Sequence, residues 1–149
     1  MDDINVIYIL FVAIFIPILL MTLLVEKKSR FPLIFVLVGI FVSVFASEVN
    51  GLLSKCLPMD TYSITTIVTP VTEEFLKALP ILYYALVISD KREKLFTASM
   101  ATGVGFAVLE NAYCLLNDPY FTMITAVIRA FGAGLMHGMC TLLVGVGIS

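Results

Sequence analysis

The sequence predicts an all-α fold, a polytopic transmembrane helix bundle of about five spans that forms one integral membrane domain over residues 1–149. Hydrophobic residues make up 60% of the chain, charged residues make up 13%, and the mean hydropathy is +1.06. Because an average soluble domain has about 25% charged and 45–50% apolar residues, this composition excludes a water-soluble globule. The 3 cysteines are too few for a disulfide framework. Packing of helices in lipid must therefore hold the fold together.

Five stretches are long enough to cross the hydrocarbon layer, because a helix that rises about 1.5 Å per residue needs about 20 apolar residues to span about 30 Å. The predicted spans are residues 4–25, 32–53, 70–89, 95–116 and 130–149. A polar connection is expected at 54–69, and a break at Asn117-Asp118-Pro119. Residues 120–128 are expected to form an interfacial or helix-extending segment.

The distribution of Lys and Arg predicts the orientation in the membrane. Three basic residues follow the first span, one lies in the next loop, three follow the third span and none follows the fourth. The positive-inside rule then places the N-terminus outside and the C-terminus in the cytoplasm of a multi-pass cell-membrane protein. The acidic start at Asp2 and Asp3 favours a retained anchor over a cleaved signal peptide. A net charge of −2 without a basic tract makes nucleic acid an unexpected partner.

Several ionisable side chains fall within or beside the predicted spans, where each costs about 2.5–3.5 kcal/mol at a helix centre and therefore marks a functional site by default. These residues are Glu48, Glu73, Glu74, Lys77, Glu110 and Arg129. Counting residues from the span ends puts the four glutamates roughly 5–9 Å below the outer surface. His137, the only histidine in the chain, comes at about 12 Å. The shared depth predicts one buried polar site near the extracytoplasmic face.

The paired glutamates allow two interpretations. Lys77 lies four residues after Glu73 and three after Glu74, so it can pair with either carboxylate on one helical face. Alternatively, Thr69-Pro70 is typical of a helix start, and acidic residues in a first turn are favoured by the helix dipole. Arg129 is placed near the outer interface, either extending its side chain toward the lipid headgroups or binding a substrate carbonyl or carboxylate.

The carboxylates and the histidine suit two chemistries. One glutamate can act as general base on a water while His137 or another donor stabilises the oxyanion. Alternatively, Glu73 or Glu74 can hold a zinc ion together with Glu110 and His137, with Asn111 or Thr141 as hydrogen-bond partners of the ligands. No H-E-x-x-H signature is present.

Three short motifs occur in order on successive predicted helices. Residues 73–77 are E-E-x-x-K, residues 106–111 are F-x-x-x-E-N, and residues 136–141 carry the histidine. Over about residues 70–141 the chain resembles the PrsW family of intramembrane proteases, which is similar to the superfamily of CAAX-prenyl endopeptidases and bacteriocin-processing enzymes. That superfamily has E-E-x-x-x-R, F-x-x-x-H and H-x-x-x-N/D, whereas here the basic residue comes one position earlier, Glu110 replaces the first histidine and Thr141 replaces Asn/Asp.

The resemblance implies a protease that cuts membrane-anchored substrates, typically an anti-sigma factor, near the outer face of the bacterial cytoplasmic membrane. It implies catalytic roles for Glu73, Glu74, Glu110 and His137, and supporting roles for Lys77, Phe106 and Asn111, to which Arg129 and Glu48 are added as neighbouring polar groups. If a zinc ion is used, the expected ligands are Glu74, Glu110 and His137; if water is activated by glutamate, no cofactor is expected. Family members commonly continue past the histidine helix, so a truncated or minimal form is expected.

Two other classes of protein share this polar pattern. A proton-coupled transporter also places ionisable residues in its spans, although no similarity between the two halves of the chain indicates inverted repeats. A noncatalytic scaffold could retain the same polar core. The sequence predicts no particular oligomeric state.

Overall fold

The computed structural model describes residues 30–117 and 122–149. Within these ranges the chain forms helices and contains no strand, which confirms the predicted all-α class. The elements are α1 (Arg30–Cys56), α2 (Thr61–Ser63), a π-helical segment (Ile64–Val68), α3 (Thr69–Val87), α4 (Arg92–Asn117) and α5 (Met123–Ile148). The predicted first span, 4–25, and the N-terminus lie outside the described residues.

Three of the described helices are long and apolar enough to cross a membrane, namely α1, α4 and α5. They correspond to the predicted spans 32–53, 95–116 and 130–149. Helix α3 corresponds to the predicted span 70–89, but three of its 19 residues are charged. Large apolar side chains cover the outside of the described bundle, for example Leu86 and Phe131 at 77% and 69% exposure. Such an exterior belongs in lipid, so the chain is a membrane protein.

The helical stretch that contains α3 begins earlier than the sequence predicted. Asp60 caps its start by accepting hydrogen bonds from the backbone N–H and the hydroxyl of Ser63, at 2.9 and 2.6 Å, and these bonds lower the pKa of Asp60. Helix α3 begins at Thr69 with Pro70 in its first turn, as predicted, but the N-cap role of Thr69 is wrong, because Val68 before it is already helical and provides no side-chain cap. Glu73 and Glu74 do not lie in a first turn, and a dipole effect there does not explain them.

The π-helical segment widens the turn that leads into α3. In such a segment the regular pattern of backbone hydrogen bonds changes, and inside a membrane each carbonyl needs a partner. Threonine hydroxyls supply additional donors: Thr66 donates to the Tyr62 carbonyl at 2.7 Å, and Thr72 donates to the Val68 carbonyl at 3.0 Å. The threonines that made this region look like a polar connection therefore support a helix.

Helix α4 is the centre of the described bundle, with α1 packed on one side and α5 on another. Glycines permit this contact: Gly39 of α1 lies against the Thr102 carbonyl, Gly105 against the Val36 carbonyl, and no Cβ atom would fit at either position. Helix α3 packs against α1, α4 and α5. As a result, each of the helices α3, α4 and α5 contacts the other two.

Two apolar clusters fill the space between the helices at different levels. One contains Phe35 and Tyr84, whose rings pack edge to face with centroids 5.2 Å apart. The other contains Leu76 and Phe106 together with Val42 of α1. Because Leu76 and Phe106 adjoin the polar residues of α3 and α4, this second cluster forms the apolar support of the site described next.

Candidate active site

Glu73, Glu110 and His137 converge from three different helices. Glu73 lies on α3, Glu110 on α4 and His137 on α5, and one ligand-type atom from each lies within 4.8 Å of the others. His137 is 5% exposed, whereas the two glutamates are half-buried. The structure thus brings together in one place three of the residues that the sequence analysis assigned to a common layer.

Close packing of α4 against α5 sets the position of His137. Gly103 of α4 lies directly against the backbone of His137 and Gly138. The Thr141 hydroxyl, which is completely buried, donates a hydrogen bond of 2.9 Å to the His137 carbonyl. Glu110 lies seven residues after Gly103, two turns further along the same helix. The helix contact at Gly103 therefore also fixes Glu110 relative to His137.

Lys77 connects Glu74 to His137. Its Nζ atom is 2.6 Å from Glu74 Oε1 and 2.8 Å from His137 Nδ1, and its side chain is completely buried. The predicted pairing of Lys77 with one of the two glutamates thus involves Glu74. Glu73, by contrast, makes no hydrogen bond or ion pair with any residue in 30–117 or 122–149.

The aromatic ring of Phe106 packs against the side chains of both Lys77 and His137. Lys77 Nζ lies 4.3 Å from the centroid of its ring, within the range of a cation–π interaction. The His137 ring centroid is 5.2 Å away, with the two planes inclined by 42°. Since Phe106 is 1% exposed, it holds Lys77 and His137 against each other and keeps water away from that side.

Glu110 faces two basic side chains of α5. Its Oε2 atom is 2.6 Å from His137 Nε2, and its Oε1 atom is 3.7 Å from the Arg129 guanidinium. Apart from this close contact with His137, Glu110 Oε2 is buried without a hydrogen-bond partner among the described residues. Both partners come from α5, which explains how a carboxylate without a basic neighbour on its own helix is tolerated.

The other predicted site residues are Asn111, Arg129 and Glu48, and they lie beside or outside the group formed by Glu73, Glu110 and His137. Asn111 donates a 3.3 Å hydrogen bond from its side-chain amide to the Arg129 carbonyl, so it ties the start of α5 to α4. Arg129 is a third exposed, and its Nε atom is buried without a hydrogen-bond partner in the described part of the chain. Glu48 on α1 is exposed and does not belong to the converging group.

The candidate metal ligands that the structure brings within reach differ at one position from the set expected for a zinc ion. The group that the structure brings within reach contains Glu73 in place of Glu74. The physical reason is that adjacent residues project about 100° apart around a helix, and Lys77 holds Glu74 on the other side. Glu73, Glu110 and His137 supply atoms of the kind that zinc binds.

Hydrogen bonding around His137 does not suit a metal on Nε2. A histidine that binds a metal through one ring nitrogen donates the hydrogen on its other nitrogen to an acceptor. Here the partner of Nδ1 is Lys77, and an ammonium group has only donors. The three ligand atoms therefore fit a metal in kind and spacing, but the group beside Nδ1 is not the acceptor that a metal-bound histidine requires.

Comparison with known proteins decides the family. The family model described as PrsW family intramembrane metalloprotease matches residues 27–149. The chain belongs to the PrsW family. PrsW proteins are intramembrane peptidases, and the matched region contains all the helices that meet at the site. None of the curated proteins and none of the solved structures searched matched the chain significantly.

The contact between Lys77 and His137 is the feature of this PrsW site that sequence reasoning missed. The spacing along the sequence predicts Lys77 only as a partner for glutamates on its own helix. Yet Lys77 lies seven residues after Pro70, about 10 Å below the predicted outer end of the span, which is close to the depth of about 12 Å assigned to His137 by the same counting. The depth of Lys77 was the signal that could have identified the pair.

Proposed function

We propose that this PrsW protein hydrolyses peptide bonds of membrane-anchored proteins with a water molecule activated by Glu73. The observation that carries the proposal is the difference between the three neighbouring carboxylates. Glu74 is bound to Lys77, and Glu110 faces His137 and Arg129. Glu73 has no such partner in the described residues, and its side chain lies beside both Glu110 and His137.

In this mechanism Glu73 is the general base. It takes a proton from the water as the water oxygen attacks the scissile carbonyl carbon, a role that contributes about 10²–10⁴-fold to rate. The carbonyl oxygen becomes an oxyanion. When the tetrahedral intermediate collapses, the C–N bond breaks and the proton held by Glu73 passes to the leaving amine. The carboxylate is restored, and no other reactant is consumed.

His137 is suited to stabilise the oxyanion. Its Nε2 atom is on the side of the ring that faces Glu110, where a substrate carbonyl would enter between the three helices. A donor that is already in place costs no reorganisation during the reaction, and loss of one such donor reduces rate by about 10²–10³-fold. Arg129, a third exposed and 3.7 Å from Glu110, is placed to hold a carbonyl of the substrate backbone at the entrance.

Distance along α4 supports a position for the site near one face of the membrane. Glu110 lies 18 residues after Arg92, so it is about 27 Å from the basic turn at 91–94. If that turn is cytoplasmic, as the positive-inside rule predicts, the site is close to the extracytoplasmic face, with the C-terminus in the cytoplasm. We therefore propose that the substrate is a membrane-anchored protein of the anti-sigma-factor kind, cut near that face, and that nucleic acid is not a partner.

The test is cleavage of a single-span reporter by the full chain in lipid nanodiscs, with and without a metal chelator. We expect cleavage that the chelator does not reduce, and loss of cleavage in Glu73→Gln. Glu93→Gln is the matched control, because Glu93 is an exposed carboxylate at the other end of α4. Absence of cleavage by the wild type refutes the peptidase proposal, while full activity of Glu73→Gln or loss of activity with chelator refutes the role of Glu73-activated water.

A further inference from the structure

We propose that Lys77 is a positioning residue that fixes the tautomer of His137, with the ring hydrogen on Nε2. The proposal rests on the proposed function, since it explains why His137 is a donor at the reacting centre. It assigns to Lys77 a task beyond neutralising a glutamate. It also assigns Glu74 to Lys77 as its counterion. Glu73 then remains as the carboxylate that can act as general base.

The first step of the argument is the direction of the hydrogen bond between Lys77 and His137. Lys77 Nζ lies 2.8 Å from Nδ1 and 2.6 Å from Glu74 Oε1, so the same group forms an ion pair and contacts the ring. An ammonium has three donors and no acceptor. Lys77 therefore donates and Nδ1 accepts, and a neutral imidazole that accepts at Nδ1 carries its hydrogen on Nε2.

The second step is that the ring has no freedom to reverse this arrangement. Each ring nitrogen faces a different group, Nδ1 facing Lys77 and Nε2 facing Glu110 at 2.6 Å. Phe106 packs against the imidazole and the ammonium together. A flipped ring would place carbon atoms against the ammonium and the carboxylate, so the observed orientation is the one that both charged neighbours favour.

The third step concerns what this tautomer permits. With hydrogen on Nε2, His137 presents a donor to the space beside Glu73 and Glu110, where an oxyanion needs one. The same hydrogen occupies the lone pair that a metal would use. Lys77 thereby opposes metal binding at Nε2 and favours donation to substrate.

The experiment uses the fact that His137 is the only histidine in the 149-residue chain. Incorporation of ¹⁵N-labelled histidine into the full chain in lipid nanodiscs gives signals from this one ring alone. Protonated and accepting ring nitrogens have widely separated ¹⁵N chemical shifts, so the spectrum gives the tautomer directly. Lys77→Arg retains a donor at position 77. The double variant Glu74→Gln with Lys77→Met removes both charges together and leaves no unpaired charge to prevent folding.

In the wild type we expect Nδ1 to be the accepting nitrogen and Nε2 to carry the hydrogen. Lys77→Arg should retain this tautomer, and the double variant should shift the ratio of the two tautomers by about tenfold or more, since a hydrogen bond to a charged group is lost. Zinc affinity, measured by equilibrium dialysis, should rise roughly tenfold in the double variant, the lower end of the effect of ligand-orienting partners.

Hydrogen on Nδ1 in the wild type, or an unchanged tautomer ratio in the folded double variant, would overturn the proposal. An unchanged zinc affinity would overturn the part that concerns metal binding. None of these measurements depends on proteolysis. The proposed function can therefore fail, through absence of reporter cleavage, while the tautomer assignment stands, and the reverse outcome is equally distinguishable.

Discussion

Gly103 of α4 lies against the backbone carbonyl of His137, and no Cβ atom fits between them. This contact involves only backbone atoms and no reacting group, yet it determines how closely α4 and α5 approach each other. Glu110 and His137, whose side chains meet at 2.6 Å, depend on that approach. A backbone contact between two helices thus sets the distance between Glu110 and His137.

Substitution of Gly103 by Ala should therefore reduce cleavage strongly. The added methyl group must push α5 away from α4, and a displacement of about 1 Å at reacting groups costs on the order of 10²-fold in rate. Overpacking should also lower the free energy of unfolding by about 1–3 kcal/mol. Gly134→Ala is the matched control, since a Cβ at Gly134 meets nothing within 4 Å. Equal activity of the two variants would refute the importance of the contact.

The adjacent residues Glu73 and Glu74 should have different roles, the first in catalysis and the second in stability. Glu73→Gln should reduce the cleavage rate by about 10²–10⁴-fold with little change in stability. Glu74→Gln leaves the buried Lys77 ammonium without its carboxylate and should lower the free energy of unfolding by about 1–3 kcal/mol. Cleavage of the reporter and unfolding in a denaturing detergent measure the two effects. The assignment is wrong if Glu73→Gln is the variant that unfolds more easily and retains activity.

His137 should tolerate replacement by a donor better than replacement by a small apolar residue. His137→Ala should lose about 10²–10³-fold in rate. His137→Gln keeps an amide N–H that can donate, so it should retain at least about tenfold more activity than the alanine variant. Single-turnover cleavage rates decide the matter. Equal loss in both variants would contradict a donor role.

Arg129 should matter for the substrate more than for the fold. Its pair with Glu110 is long, at 3.7 Å, and a third exposed, so Arg129→Gln should change the free energy of unfolding by less than about 1 kcal/mol. If the guanidinium holds a substrate carbonyl, kcat/KM should fall by about tenfold, as expected for a lost hydrogen bond to a charged group, and Arg129→Lys should restore part of it. A marked loss of stability with unchanged kcat/KM would assign Arg129 to the fold alone.

The convergence of three of the site residues was predictable because burial of charge is costly, whereas Glu48, assigned to the same layer, lies exposed on α1. Glu73, Glu110 and His137 had to share a depth and face one another, and the structure brings them together. Rotation about each helix axis could not be predicted in the same way. Choosing between Glu73 and Glu74 requires the position of Lys77 relative to α5, and that position depends on tertiary contacts such as the one at Gly103.

The start of the helix that carries the glutamates was predicted less well. Threonine-rich residues between Asp60 and Thr69 resemble a loop because β-branched and hydroxyl side chains are poor helix formers in isolation. In the structure, Asp60 caps the helix and the hydroxyls of Thr66 and Thr72 donate to backbone carbonyls of preceding residues. Pro70 does lie in the first turn of α3, but the residues before it are already helical, so this proline marks the change from the π-helical segment to the α-helix and not a loop.

The π-helical segment at Ile64–Val68 has a consequence for how the chain can vary in length. Such a segment corresponds to an α-helix that has accommodated one additional residue. Removal of one residue there can restore ordinary α-helical turns without rotating α3, so the register of Glu73 and Lys77 is preserved. Removal of one residue between Thr69 and Lys77 would instead turn one side of the site by about 100°. Insertions and deletions in related sequences should therefore collect before position 69.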